Sequence, residues 1–377
     1  MPVKTLHLTV LIGAVGETPA LTLTREQLGA LTAVSVQTQS DGRTGFQLSF
    51  ETDRRKLAED LRRLFQFGLN PAVRVVLVAT LGGAATVLCD GVVLQHQNVP
   101  APNGRTALTF TGEDLSVLMD LVDRSEQPLA GINDYTQVNT LLAPYAAFGV
   151  IPAVIPSPAS DFSDPTDGNP VQSGTDYGQI VALARKVGYV FYLEFGPVPG
   201  VSKAYWGPEV ELSRPQPALT LGAGLANNVT QLSFTHATQQ KALPTIKLKI
   251  DKASVTIPLP DQNPLRPPLT AAPQPPVRVQ KLGDSEGKLS VGRALGLGLA
   301  LAARTGDNVT ASGSLEVATY GRLLAPRRLV AVRGAGLSYD GVYYVNRVST
   351  EIRRGRCTQS FNLRRSGAFP TAGSVPV

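Results

Sequence analysis

Cysteine is nearly absent from this chain. Its 377 residues include two, Cys89 and Cys357, far apart and outside any Cys-x-x-Cys. That excludes a disulfide framework and suits a reducing compartment. Histidine is as scarce: His7, His96 and His236 show no HxxxH or HxxE spacing. The sequence therefore offers no zinc site and little for histidine-based catalysis. Long apolar runs are missing too. The longest stretches, around Val73–Leu81 and Ala294–Ala303, reach about ten residues, whereas a membrane span needs about 20. Met1-Pro2-Val3-Lys4 opens no signal-peptide layout, because one lysine is followed by alternation rather than an apolar core. Charge is low at 17% against 43% hydrophobic residues, the reverse of a disordered chain.

What is plentiful is turn chemistry. Gly (36) and Pro (29) are both over-represented, which points to a β-rich chain with many turns rather than a helical bundle. The length allows two or three domains. A net charge of +6, with a pI near 9.3, means nucleic acid must be weighed as a partner.

The first quarter reads as strands. Val34, Val36 and Thr38 alternate with polar residues, Ser40-Asp41-Gly42-Arg43 turns, and Phe46, Leu48 and Phe50 alternate again. Alternation around an Asp-Gly turn is a hairpin signal. Leu57, Leu61 and Leu64 switch to helical spacing within Asp53–Phe65. Strands resume at Ala72–Leu81, Ala85–His96 and Thr106–Thr111. Leu115, Leu118, Met119 and Val122 then have helical spacing, and Tyr145–Gly174 reads as a long loop. Thr175–Gly188 predicts a helix with Thr175 as N-cap and Gly188 just past its end, followed by an apolar strand at Tyr189–Phe195. Later strands are expected at Leu219–Leu221, Val229–Thr235, Thr245–Ile250, Ser314–Tyr320, Arg328–Arg333, Gly341–Ile352 and Cys357–Leu363. A Leu/Ala-rich helix is expected at Val291–Ala303. Pro258–Pro276 holds eight prolines in nineteen residues, an extended excursion with no packed core of its own.

The expected architecture is mainly β with an α+β insert. A first tube-like β-barrel covers 1–122, a mixed α/β insert 123–205, and a second tube-like barrel 206–365 with a Pro-rich insertion at 251–290. Residues 366–377 form a tail. No repeat of fixed period is visible.

Chemistry-bearing motifs are few. Gly222-Ala223-Gly224 and Gly296-Leu297-Gly298 complete neither GxGxxG nor a phosphate loop, so turn or packing glycines are the better reading. Asn228-Val229-Thr230 and Asn308-Val309-Thr310 fit a glycosylation sequon but lack a secretory context. No GxSxG occurs. His96 reads as a surface residue at a strand end. Trp206 reads as a packing residue ahead of an aromatic platform. Between Arg322 and Arg365 lie ten arginines and two acids. Nothing like a stacking platform or recognition helix accompanies them. Arginine on strand faces also suits carboxylates of a protein partner. A protein interface is favoured over a solvated face, with nucleic acid last. The candidate interface residues are Arg327, Arg328, Arg353, Arg354 and Arg356. No catalytic, metal or cofactor residue emerges.

The C-terminal run carries a resemblance. Leu323–Val330, then Tyr339-Asp340-Gly341-Val342-Tyr343-Tyr344-Val345, then Cys357-Thr358-Gln359-Ser360-Phe361-Asn362-Leu363 resemble the end of the phage late control protein D family. These are central baseplate hub proteins of contractile tails and related injection systems. Thr350 stands where that family usually has histidine. Leu31–Phe50 resembles the family's first hairpin. Asp90-Gly91-Val92-Val93 resembles a further strand, with Leu88-Cys89 where an aromatic is common. Tyr177-Gly178-Gln179-Ile180 through Tyr189–Leu193 resembles its helix–strand unit. The resemblance implies a non-enzymatic homotrimer whose three subunits present six similar barrels. Such a ring joins a hexameric inner tube protein to a trimeric spike, with baseplate wedge proteins around it. It implies assembly in the cytoplasm and residence in the finished tail or injection particle. The chain stops at Val377 without a spike fold, so the spike is expected to be a separate polypeptide. The competing readings are a basic two-domain nucleic-acid-binding protein and, behind it, a glycan hydrolase.

Overall fold

The computed structural model describes residues 5–65, 72–100, 104–129, 133–157, 171–209, 213–222, 227–238, 241–250, 253–258, 267–271, 275–281 and 306–369. The helix expected at Val291–Ala303, most of the Pro-rich stretch and residues 370–377 lie outside them.

The N-terminal part runs β1 (Leu6–Ala14), β2 (Leu21–Thr22), α1 (Arg25–Ala30), β3 (Leu31–Gln39), β4 (Gly45–Thr52), α2 (Arg55–Phe65), β5 (Val73–Leu81), β6 (Ala84–Pro100) and β7 (Thr106–Asp114). The Asp-Gly turn joins β3 to β4 as its chemistry predicts, with Gly42 at φ +95°. Helix α1 had no apolar periodicity to announce it. A capping box starts it: Gln27 N donates to Thr24 Oγ1 at 3.2 Å, and Thr24 N donates to Gln27 Oε1 at 2.8 Å. Helix α2 buries Leu57, Ala58, Leu61 and Phe65. Phe65 stacks on Phe110 with ring centroids 4.2 Å apart.

The middle part differs from expectation in two places. Leu115–Asp120 is a 3-10 stretch rather than a longer helix. Asp114 caps it, and its six residues make two turns at three residues per turn. Tyr145–Val154, read as loop, is ordered: Ala143–Phe148 is a second 3-10 turn, and β8 (Val150–Val154) follows. Helices α3 (Asp134–Leu142) and α4 (Asp176–Val187) pack with β8, β9 (Tyr189–Phe195) and β10 (Ser202–Pro208), whose sheet order is β8–β10–β9. Thr175 caps α4 and Gly188 ends it at φ +74°. Trp206 is fully buried, with Nε1 donating to Ile180 O at 3.2 Å. That burial makes it a packing residue.

The last part holds β11 (Gln216–Thr220), β12 (Gln231–His236), β13 (Ala242–Ile250), β14 (Ala253–Pro258), β15 (Arg278–Lys281), β16 (Val309–Glu316), α5 (Val317–Tyr320), β17 (Leu329–Arg333), β18 (Gly341–Arg353) and β19 (Arg356–Arg365). The strand expected over Ser314–Tyr320 breaks at Glu316. Val317 and Tyr320 turn inward on one helical turn, which Gly321 ends at φ +77°.

Strands from both ends of the chain share one sheet of thirteen, mostly antiparallel. Its main path is β12-β16-β19-β18-β3-β4-β7-β6-β5-β1-β2. Among the described residues neither half closes a barrel by strand pairing. They meet instead where β18 pairs with β3, from Arg347↔Gln39 to Arg353↔Ala33.

The path contains a repeat that no fixed sequence period reveals. β3-β4-β7-β6 and β12-β16-β19-β18 have the same layout: each set visits its first, second, fourth and third position in chain order. The flanking elements match as well. β5 pairs with β6 as β17 pairs with β18, and a helix follows β4 and β16 alike. Two four-stranded units thus stand head to tail across the β18–β3 joint. One apolar core serves both, drawn from Phe46, Leu48, Phe110, Leu315, Phe361 and their neighbours. A second core belongs to the middle part.

Candidate protein interface

Three of the five candidate arginines gather at the β18–β19 hairpin tip. Arg353 and Arg356 face each other across the last ladder position, and Gly355 takes φ +73° in the turn. That angle is cheap only for glycine. Arg353 Nη2 reaches Glu351 Oε1 at 2.7 Å, and Arg356 Nη2 reaches Glu316 Oε1 at 2.7 Å. Both pairs are exposed, so each contributes at most about 1 kcal/mol. Arg354 makes no ion pair among the described residues. The tip flanks a cleft of about 660 Å³ whose rim also carries Glu51, Asp53, Arg54 and Arg105. With Glu26 also on the rim, it is a mixed-charge end of the sheet in which arginines and acids balance.

The other two candidates sit elsewhere. Arg327 N donates to Val345 O, eight residues back along β18 from Arg353, or about 26 Å at a strand's rise. Arg328 is exposed there. Arg327 turns inward: its guanidinium lies 3.7 Å from the Tyr192 ring centroid. Burial pushes that guanidinium below the ordinary arginine value. The five residues are not one patch.

Sequence reasoning missed a larger feature. One face of the sheet is apolar, as in the register row Ile352, Val34, Leu48, Phe110. The opposite face of the eight strands from β12 to β6 is polar, and helix α4 borders it at one end, where Tyr177, Val181 and Arg185 share a cleft with Gln37, Gly45, Glu113 and Arg347. One of its rows reads Gln231, Ser314, Ser360, Ser349, Gln37. The next reads Thr358, Glu351, Ser35, Gln47, Thr111, Gln95. Serine, threonine and glutamine dominate, and charge appears mainly toward the hairpin tips. The clue was present in the sequence. The polar members of these alternating runs are short and neutral, whereas an ordinary solvated face favours charge.

The ends of that face are open. Strand β5 covers β6 only as far as Val92, and from Gln95 on β6 has a strand neighbour on one side among the described residues. Among the described residues β12 is likewise paired only with β16. Neither segment, Gln95–Pro100 or Gln231–His236, contains Lys, Arg, Asp or Glu. Edges that must stay single are normally blunted by charge, proline or a bulge; β6 has Pro100 and a bulge between Val93 and Gln95 but no charge there.

No protein-family model and no curated protein matches the sequence. Solved structures share the fold. The tail protein from Neisseria meningitidis superposes with a TM-score of 0.60 at 12% identity, over 97% of this chain and 98% of that one. The 43 kDa tail protein of prophage MuSo2 from Shewanella oneidensis gives 0.59 at 13%, over 96% and 99%. A chain of the Francisella PdpA-VgrG complex gives 0.59 at 8%; it is covered over 60% of its length by 99% of this one. At such identities the likeness is one of fold, and the fold is that of tail proteins. Among the described residues no helix is long and apolar enough to cross a membrane.

Proposed function

We propose that the chain is a structural baseplate hub of a contractile tail or injection particle, a homotrimer that adapts a hexameric inner tube to a trimeric spike. The observation that carries this reading is the head-to-tail repeat with an uncharged open edge at each end. The same joint that pairs β18 with β3 inside one chain is available between chains, with β6 of one copy meeting β12 of the next. A heterologous contact of this kind closes into a ring when its rotation divides a full turn, and three copies are the closure this reading takes. Three copies then supply six four-stranded units, each half acting as a tube-like barrel, and the Ser/Thr/Gln face lines the lumen.

In this reading residues 1–122 and 206–365 are the two tube-like parts, and 123–205 is an insert on the outside. The Arg353–Arg356 tip docks on acidic groups of a neighbouring ring, and the Pro-rich insertion at 251–290 meets wedge proteins. Such an adapter works through surfaces and uses no catalytic group. Mass photometry tests the assembly. The reading expects a species three times the mass of the 39.9 kDa chain when alone, and that mass plus the spike's when the spike is added. A chain that stays monomeric under both conditions overturns it.

A further inference from the structure

A cavity of about 350 Å³ opens beside the β18–β19 hairpin tip, at the Arg353 end of the β18–β3 joint. The start of β1, the end of β5, α1, α5 and the tip itself surround it. Leu6, Leu8, Leu28, Leu81, Val317 and Ile352 make its walls apolar. Leu6, Leu8 and Leu28 are only half-buried, so the described residues leave the shared core incompletely covered at this end.

Arg353, Arg354 and Arg356 line the mouth, and among the described residues no acid does. Glu351 holds Arg353 and Glu316 holds Arg356. Arg354 is exposed and, among the described residues, makes no ion pair. Across the tip, in the neighbouring cleft, Glu26 is held by Arg54 and Glu51 by Arg105. Asp53 lines that cleft and not this cavity. The mouth therefore offers one accessible, unmatched guanidinium beside open apolar walls. Covering such walls is favourable at about 25 cal/mol per Å². Protein interfaces concentrate binding energy where an apolar anchor fills a pocket, and they are enriched in arginine.

We propose that this cavity is a docking pocket for a protein segment that carries an acidic residue next to a large apolar one. The apolar side chain fills the cavity, and the carboxylate meets Arg354 at the mouth. In the hub reading, on which the partner's identity rests, that segment belongs to the neighbouring ring. The pocket itself is built within one chain and does not need the ring.

Cys357 lines the cavity and serves as its reporter. The other cysteine, Cys89, is fully buried and does not line it. The full chain is treated with N-ethylmaleimide at a mildly alkaline pH, because burial pushes the Cys357 thiol up to about 11. Mass spectrometry follows modification at each cysteine. The probes are the capped tetrapeptide Ala-Phe-Asp-Ala, the same peptide with Asn for Asp or Ser for Phe, and octanoate. A single anchor should bind with a dissociation constant of about 1 mM, so about 10 mM Ala-Phe-Asp-Ala should slow Cys357 labelling about tenfold. The Asn and Ser peptides should slow it by less than about threefold. Arg354→Glu should lose the effect, and Arg105→Glu, outside the cavity, should keep it. No slowing, slowing that ignores the peptide's sequence, or slowing that survives Arg354→Glu overturns the proposal. Octanoate acting more strongly than the Asp peptide assigns the cavity to a free acid and overturns it too. So does a Cys357 closed to the reagent before any probe is added, which assigns the cavity to the chain's own residues. Mass photometry of the same samples keeps this proposal apart from the hub reading. A trimer without protection sinks the pocket alone, and a protected monomer sinks the ring alone.

Discussion

Arg74 and Asp90 meet fork to fork across β5 and β6. Nε reaches Oδ1 and Nη2 reaches Oδ2, both at 2.7 Å, with both side chains buried. Arg74 Nη2 also donates to Gly200 O at 3.0 Å, on the turn before β10. One guanidinium thus ties the first part of the chain to the middle part. Removing one partner leaves the other charge buried alone. Arg74→Met should cost about 3–5 kcal/mol, and Arg74→Met with Asp90→Leu should recover most of it. Urea unfolding of the two variants measures both.

The open edges give a charge-swap prediction. Gln97→Lys or Ser233→Lys places a cation at the middle of a free edge, on the polar face. Like charges across a joint repel. Each variant with its edge partner unchanged should weaken assembly mildly. The double variant Gln97→Lys with Ser233→Lys should raise the dissociation constant at least about tenfold. Gln97→Lys with Ser233→Glu should restore it. Sedimentation velocity over a dilution series measures the order, and monomer melting temperatures should stay together.

The hairpin tip separates stability from docking. Arg353, Arg354 and Arg356 are exposed, so replacing all three by Glu should change folding stability by no more than about 1–2 kcal/mol. Binding to an acidic partner ring should lose its salt dependence and most of its affinity. Gly355→Ala should cost about 1–2 kcal/mol through its φ of +73° alone, because nothing lies within 4 Å of the added methyl.

Asp120 sets an acid limb. Its carboxylate accepts from Thr175 Oγ1 and from Arg43 Nη2, and these bonds hold it below the ordinary aspartate value. A depressed folded-state value stabilises the fold at pH above the unfolded value. That contribution is lost as pH falls through the folded-state value. Unfolding midpoints measured from pH 6 down to pH 2 should fall more shallowly for Asp120→Asn than for the wild type. Equal slopes would remove this account of the Asp120 contacts.

Local chemistry made much of this fold legible. The Asp-Gly hairpin, the α2 stripe and the Thr175 and Gly188 caps all follow from residues close in sequence. The joint between β18 and β3 was not legible, because its partners lie about 300 residues apart and pairing leaves no local mark. The repeat stayed hidden for a related reason. It lives in strand order, while inserts of different length separate its members. Helix α1 escaped because six residues hold too few apolar positions to show a period. Of the candidate arginines, Arg353, Arg354 and Arg356 were adjacent in sequence and remained together in space. Arg327 looked the same in sequence, and only its φ and the ring of Tyr192 turn it inward.

The central claim is that the chain's sheet continues from copy to copy with its polar face inward. Cryo-electron microscopy of the assembled protein tests this most directly. The account predicts a threefold ring in which Gln95–Pro100 of one copy pairs with Gln231–His236 of the next, and in which Gln37, Ser349 and Ser360 face the channel. A ring held together through other surfaces, or one with this face turned outward, would contradict it.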